Sequence, residues 1–173
     1  MKKNVISVLT MAAFTLGLTA TSALAAETKK GDMNMVAPAH AEEEEITFGM
    51  PGMSNMVTRT ITVSMQDVAY DHKNLKFKNG ETIRFILINK DDTDHEFTLG
   101  TAEMQAADRE RMEKMMDMNM PMEMEGEANA VSVPALQTKE LIWTFKGPSQ
   151  IEFACNIPGH YDAGMKGDLT VIK

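Results

Sequence analysis

From residue 57 onward, apolar and polar positions alternate in short runs. Residues 58–65 place Ile61, Val63 and Met65 on one side and Thr60, Thr62 and Ser64 on the other, which predicts a strand with one buried face. Residues 82–89 carry Ile83, Phe85 and Leu87 on one face and Ile86 and Ile88 on the other. A strand apolar on both sides belongs in the interior of a sheet rather than at its edge. Asn79-Gly80 is a tight-turn pair, and it predicts a turn between a strand at 75–77 and the one at 82–89. Further short strands are expected at 95–99, 130–133, 140–145, 150–154 and 167–172.

Residues 101–117 break this rhythm. They are rich in Ala, Glu, Met and Arg, lack Gly and Pro, and place Met104, Ala107, Arg111 and Met115 at helical spacing. Pro121 and Gly126 end any helix. The predicted fold is all-β, a Greek-key β-sandwich over 57–173 with one helical, Met-rich insertion at 101–126.

The N-terminal part reads differently. Lys2 and Lys3, an apolar stretch from Val5 to Leu18 and the small residues around Ala23-Leu24-Ala25 form an export-signal pattern, with cleavage expected after Ala25. The apolar stretch is shorter than the roughly 20 residues of a spanning helix, so no stable membrane insertion is expected. Residues 26–56, with four glutamates at 42–45 and Gly-Met-Pro-Gly-Met at 49–53, predict a flexible Met- and Glu-rich arm. Without Lys2 and Lys3 the chain has 15 basic against 25 acidic residues. That acidic balance argues against nucleic acid as a partner.

Cys155 is the one cysteine. It cannot pair within the chain, and in an oxidising compartment a free thiol is vulnerable unless buried or bound. Near it the chain reads Cys-Asn-Ile-Pro-Gly-His-Tyr-Asp-Ala-Gly-Met, which spaces Cys155, His160 and Met165 evenly, and His95 lies upstream after an acidic turn. A thiolate, two imidazoles and a weak axial thioether make the ligand set of a type 1 copper centre. Zinc fits less well because a thioether is a poor zinc ligand. A Cys/His nucleophile pair would leave Met165 without a role and lacks an evident oxyanion arrangement. His72, in a polar turn, and His40, in the arm, are not expected as ligands of this centre.

These residues resemble the cupredoxins, the small blue or green copper proteins, in the Cys-x4-His-x4-Met spacing with Ile-Pro-Gly before the histidine. The resemblance covers about 57–173, and the methionine-rich sequence makes it most like periplasmic cupredoxins of bacterial copper tolerance. It implies one type 1 copper per chain held by His95, Cys155, His160 and Met165. Many electron-carrying cupredoxins have asparagine after the first histidine, tying the two ligand loops together. Glu96 stands there in this chain, so a different tether is expected.

Methionine is in excess, with 17 residues. Met104, Met112 and Met115 suit a helix and core. Met118, Met120, Met122 and Met124 alternate through a polar, proline-containing segment, where thioethers bury nothing and are suited to capturing Cu(I). The functional expectation is a periplasmic, non-enzymatic copper protein that binds, redox-cycles or transfers copper in copper tolerance. Its partners would be copper ions and a periplasmic redox or copper-handling protein. The alternative is an electron carrier for a respiratory or oxidase partner, passing charge through His160, with Tyr161 and Ile157 supplying apolar docking surface around it. A cuprous oxidase is not expected, since 4 histidines are too few for the additional histidine-rich cluster that oxygen reduction requires.

Overall fold

The computed structural model describes residues 45–120 and 127–173. In chain order these form β1 (Gly49–Pro51), a 3-10 turn (Ser54–Met56), β2 (Arg59–Gln66), β3 (Ala69–Tyr70), β4 (Asn74–Lys78), β5 (Thr82–Asn89), β6 (His95–Gly100), α1 (Ala102–Asp117), β7 (Ala130–Val133), β8 (Thr138–Phe145), β9 (Ser149–Ala154) and β10 (Lys166–Ile172). The strands make two five-stranded sheets, one ordered β1-β8-β5-β2-β3 and the other β4-β10-β9-β6-β7. The doubly apolar strand β5 is central in its sheet, paired in parallel with β2 and antiparallel with β8. The β-sandwich with one helical insertion expected from the sequence is present.

Between the sheets lies an aromatic core. Phe77 stacks on Phe145 with centroids 4.9 Å apart, and Phe97 stacks on Phe153 at 5.6 Å. Trp143, Phe85 and Phe97 are fully buried. At about 25 cal/mol per Å² of apolar surface removed from water, rings of this size dominate the stabilisation of the sandwich.

Asn79-Gly80 does form a turn, but not a hairpin. The preceding strand β4 belongs to one sheet and the following β5 to the other. The turn's backbone is taken up across the sandwich end, with Asn79 N–H donating to Ile172 O and Gly80 N–H to Phe145 O. Turn chemistry fixed the reversal, while the occupied edges of β10 and β8 decided where each arm pairs.

The expected arm extended to residue 56, and here the structure differs. Phe48 is buried against Trp143, with ring centroids 5.7 Å apart, and Gly49–Pro51 pairs antiparallel with β8. A three-residue strand interrupted by Gly and Pro is too short for alternation to reveal. The export signal and residues 26–44 lie outside the described residues. Among the described residues, no helix is long and apolar enough to cross a membrane.

Helix α1 starts where Thr101 caps it, its hydroxyl accepting from Met104 N–H at 3.2 Å, and Glu103 sits favourably in the first turn. Its buried positions are Gln105 and Met112, flanked by half-buried Met104 and Met115, whereas Ala107 is exposed. A glutamine at the centre of the inward face is what apolar periodicity could not show. Its amide donates to Thr98 O at 3.0 Å on β6.

Candidate metal centre

His95 is the first residue of β6, and its orientation is set by the turn before it. Asn89 ends β5 with its side-chain amide donating to Thr93 O at 2.8 Å and Val133 O at 2.9 Å, while its carbonyl oxygen accepts from Asp91 N–H. That turn delivers the Asp91 carboxylate to His95 Nε2 at 2.8 Å. The His95 bond holds the Asp91 carboxyl below the usual carboxylate range. With Nε2 so engaged, Nδ1 of His95 faces inward, a division of the two ring nitrogens that suits a metal-ligating imidazole.

Cys155 follows β9, and Met165 immediately precedes β10. The loop between them is bonded to itself. His160 N–H donates to Ile157 O, Met165 N–H to His160 O, and Cys155 N–H to Met165 O, all at 3.0 to 3.1 Å. Gly159 and Gly164, with φ of 86° and 97°, supply the left-handed backbone that a side chain would resist. The chain therefore turns at Pro158-Gly159 and bends again at Gly164.

These two segments converge. His160 Nδ1 lies 3.3 Å from His95 Nδ1 and 3.3 Å from Cys155 Sγ. One donor atom from each of His95, Cys155 and His160 falls within 4.8 Å of the others, a grouping that could hold a metal ion. Met165 is fully buried in the same core cluster as Cys155. His95 and Cys155 are buried, whereas His160 is half-buried.

The electrostatics favour a cation here. Burial, reinforced by Glu96, pushes the Cys155 thiol up to about 12, so without a positive charge the sulfur keeps its proton. Burial and the nearby His95 lower the His160 imidazole, which keeps it neutral and able to coordinate. A bound metal ion reverses the thiol's preference outright, since coordination deprotonates it. Two imidazole nitrogens and one sulfur, mutually facing, thus fit a soft or borderline metal.

Glu96 resolves the tether. Its carboxyl oxygen accepts from Asn156 N–H at 2.8 Å and from the Thr98 hydroxyl at 3.1 Å, joining the residues that follow His95 and Cys155. The loops are tied by a carboxyl group in place of an amide. Burial raises Glu96 to about 7. The Asn156 amide in turn donates to Gln105 Oε1 at 2.7 Å, which links the loop to α1. Tyr161 makes a second link, with Arg109 of α1 at 3.7 Å and Lys166 at 3.9 Å from its ring centroid and its hydroxyl donating to Glu152 at 2.8 Å. Ile157 packs against the small cluster of Met112 and Ala130. Asp91, Gln105 and Asn156 were not picked out from the sequence. The i,i+4 spacing of Asp91 and His95 was the one available signal.

The described part of the methionine segment faces solvent. Met118 and Met120 sit just past α1, 63% and 49% exposed. Met122 and Met124, like His40, lie outside the described residues. His72 is on a separate turn, its Nε2 near Thr62 O.

The family model for copper-binding proteins of the plastocyanin/azurin family matches residues 57–172. The chain belongs to that family. This cupredoxin is 37% identical over 136 residues to a protein named copper-resistant cuproprotein CopI from Rubrivivax gelatinosus, with 78% of this chain and 79% of that one covered. A protein of the same name from Pseudomonas aeruginosa is 34% identical over 165 residues, covering 82% of this chain and 89% of that one. Among solved structures, auracyanin B superposes with a TM-score of 0.58 at 20% identity, covering 74% of this chain and all of that one. A dithionite-reduced auracyanin from Roseiflexus castenholzii gives 0.53 at 24% identity, with 68% and 99% covered. At those identities the structures support the fold alone. The cupredoxin binds copper, and His95, Cys155 and His160 lie close together as its possible type 1 site.

Proposed function

We propose that this cupredoxin is a periplasmic copper-tolerance protein whose type 1 centre would be held by His95, Cys155, His160 and Met165. The observation that carries the reading is the convergence of three buried or half-buried donors from two segments distant in sequence. Copper in such a ligand set exchanges one electron with little rearrangement, because the geometry is a compromise between its two oxidation states. The chain's own part is to hold that geometry. Asp91 fixes the His95 ring, Glu96 ties the two ligand segments, and the loop's internal hydrogen bonds keep Met165 beside Cys155.

The tolerance role is supported by the two relatives named as copper-resistant cuproproteins, which align over about four-fifths of this chain. Export to the periplasm rests on the signal pattern of residues 1–25. The exposed Met118 and Met120, with Met122 and Met124 beyond them, would capture Cu(I) as soft donors. Loading the mature protein with Cu(II) should give a thiolate-to-copper absorption and a type 1 EPR signal. A colourless protein, or growth on copper unaffected by deleting the gene, would overturn the proposal.

An electron-carrier role is the second reading, favoured by one observation. His160 is the one member of the cluster that is not fully buried, so it offers a route for charge to reach a partner. Rapid electron exchange with a purified redox partner, without copper transfer, would select this reading over tolerance.

A further inference from the structure

Helix α1 meets the ligand loop with one face. Gln105, Arg109 and Met112 stand at i, i+4 and i+7 on it. Gln105 bonds Asn156, Arg109 lies over the Tyr161 ring, and Met112 with Ala130 receives Ile157. Those loop residues directly follow Cys155 and His160 in the chain.

Gln105 makes the most directional of these contacts. It is fully buried, where an amide is unfavourable unless its atoms are bonded. Its Nε2 donates to Thr98 O at 3.0 Å on β6 and to Glu152 O at 3.4 Å on β9, and its Oε1 accepts from Asn156 Nδ2 at 2.7 Å. One side chain thus holds the strand that begins at His95, the strand that leads into Cys155, and the residue after Cys155.

The clamp sits where the sheet opens. β6 and β9 pair at Gly100–Glu152, Leu99–Phe153 and Thr98–Ala154, and the ladder ends there. Beyond it the two segments run on to His95 and Cys155, whose donor atoms lie within 4.8 Å of one another. In place of ladder bonds, the Glu96 carboxyl joins the segments by accepting from Asn156 N–H at 2.8 Å. Asn156 is itself fully buried, and its Oδ1 has no hydrogen-bond partner among the described residues. The Nδ2 bond to Gln105 therefore orients that side chain. The backbone N–H groups of Glu96 and Ile157 reach the Cys155 sulfur and favour its thiolate form. A displaced Asn156 would disturb both donors, and hydrogen bonding at that sulfur tunes the potential of a type 1 copper.

We propose that Gln105 is a positioning residue of the metal centre: by holding Asn156 it sets the opening between His95 and Cys155 and the hydrogen bonds that reach the sulfur. It acts without touching the ion. Its spectroscopic consequences rest on the type 1 reading of this centre, whereas its hold on the loop stands on the hydrogen bonds alone.

Gln105→Met tests this, since methionine keeps the length and nearly the volume of glutamine but makes none of its hydrogen bonds. In the metal-free protein, amide hydrogen exchange at Asn156 and Ile157 should quicken about tenfold, the effect of one lost buried hydrogen bond on a local opening. In the copper-loaded protein the thiolate-to-copper band should shift and Cu(II) affinity should fall about 10-fold. The reduction potential should also fall, because N–H donors to the sulfur favour the reduced ion. Asn156→Ala cuts the same bond from the other side and should reproduce the changes at Ile157 and in the spectrum, even where the first variant folds too poorly to purify. In the double variant the changes should not add. Ala107→Gly weakens α1 at an exposed position, so it should lower the thermal midpoint with band and potential unmoved. Band, potential and exchange unchanged in Gln105→Met, additive changes in the double variant, or an equal potential shift from Ala107→Gly would each overturn the proposal. A parent protein without a thiolate band, but with exchange quickened by Gln105→Met, would remove the type 1 reading and leave the hold on the loop standing.

Discussion

The cluster around Cys155 and the methionines just past α1 are built on opposite principles. Around His95, Cys155 and His160 nearly every polar atom is engaged before any ion arrives, by Asp91, Glu96, Asn156 and the loop's own backbone. At Met118 and Met120, past the end of α1, the side chains are exposed. The first arrangement fixes geometry and so suits a copper that changes oxidation state in place. The second fixes only donor softness, which suits capture and release. Burial in the first region holds a thiol and a carboxyl group away from water, which disfavours their charged forms until a cation is present.

Replacing the sulfur tests the contrast most severely. Cys155→Ser should abolish the thiolate-to-copper absorption completely while leaving Cu(I) binding at the methionine segment intact. Visible spectroscopy and chelator competition on the same sample check both halves. Glu96→Gln should produce the next largest effect, and it is read in the metal-free protein. Burial raises the folded Glu96 pKa to about 7 from an ordinary value of 4.5, so the unfolded chain ionises first as pH rises. Wild-type stability therefore falls between those values and stays low above them. The glutamine variant keeps an oxygen for Asn156 N–H and the Thr98 hydroxyl but carries no charge. It should be more stable than wild type at about pH 8 by on the order of 3 kcal/mol and comparable at about pH 4, measured by urea unfolding.

Asp91→Ala removes the partner that orients His95, and metal affinity should fall about 10–100-fold with the absorption band still present. A band lost entirely would make Asp91 more than an orienting residue. Exchanging Met118 and Met120 for leucine should lower the number of Cu(I) ions bound and leave the band unshifted, which separates the two regions directly. The smallest effect belongs to Tyr161→Phe. It loses the hydrogen bond to Glu152, costs about 1 kcal/mol in thermal unfolding and leaves the spectrum unchanged.

Much of this architecture was visible in the pattern of residues. Strands at β2, β5 and β7 lie where alternation or apolar runs placed them, and α1 coincides with the stretch lacking Gly and Pro. These elements are long enough, or composed distinctly enough, for local chemistry to decide them. β1 and β3, with three and two residues, carry no period of their own and exist because β8 and β2 offer them an edge. The three close donors were named by residue type and loop spacing. Asp91, Gln105 and Asn156 were not, since hydrogen-bonding side chains are common and only their meeting in space distinguishes them.

The sequence alone thus determined the donor chemistry, the longer strands, α1 and the reversal at Asn79-Gly80, because these depend on residues a few positions apart. Tertiary structure decided which sheet received each arm of the Asn79-Gly80 turn, how Glu96 ties two loops, and that Phe48 and β1 belong to the sandwich. Those outcomes depend on contacts between segments tens of residues apart. The free energy of such contacts comes from burial and hydrogen-bond satisfaction, which no local pattern encodes.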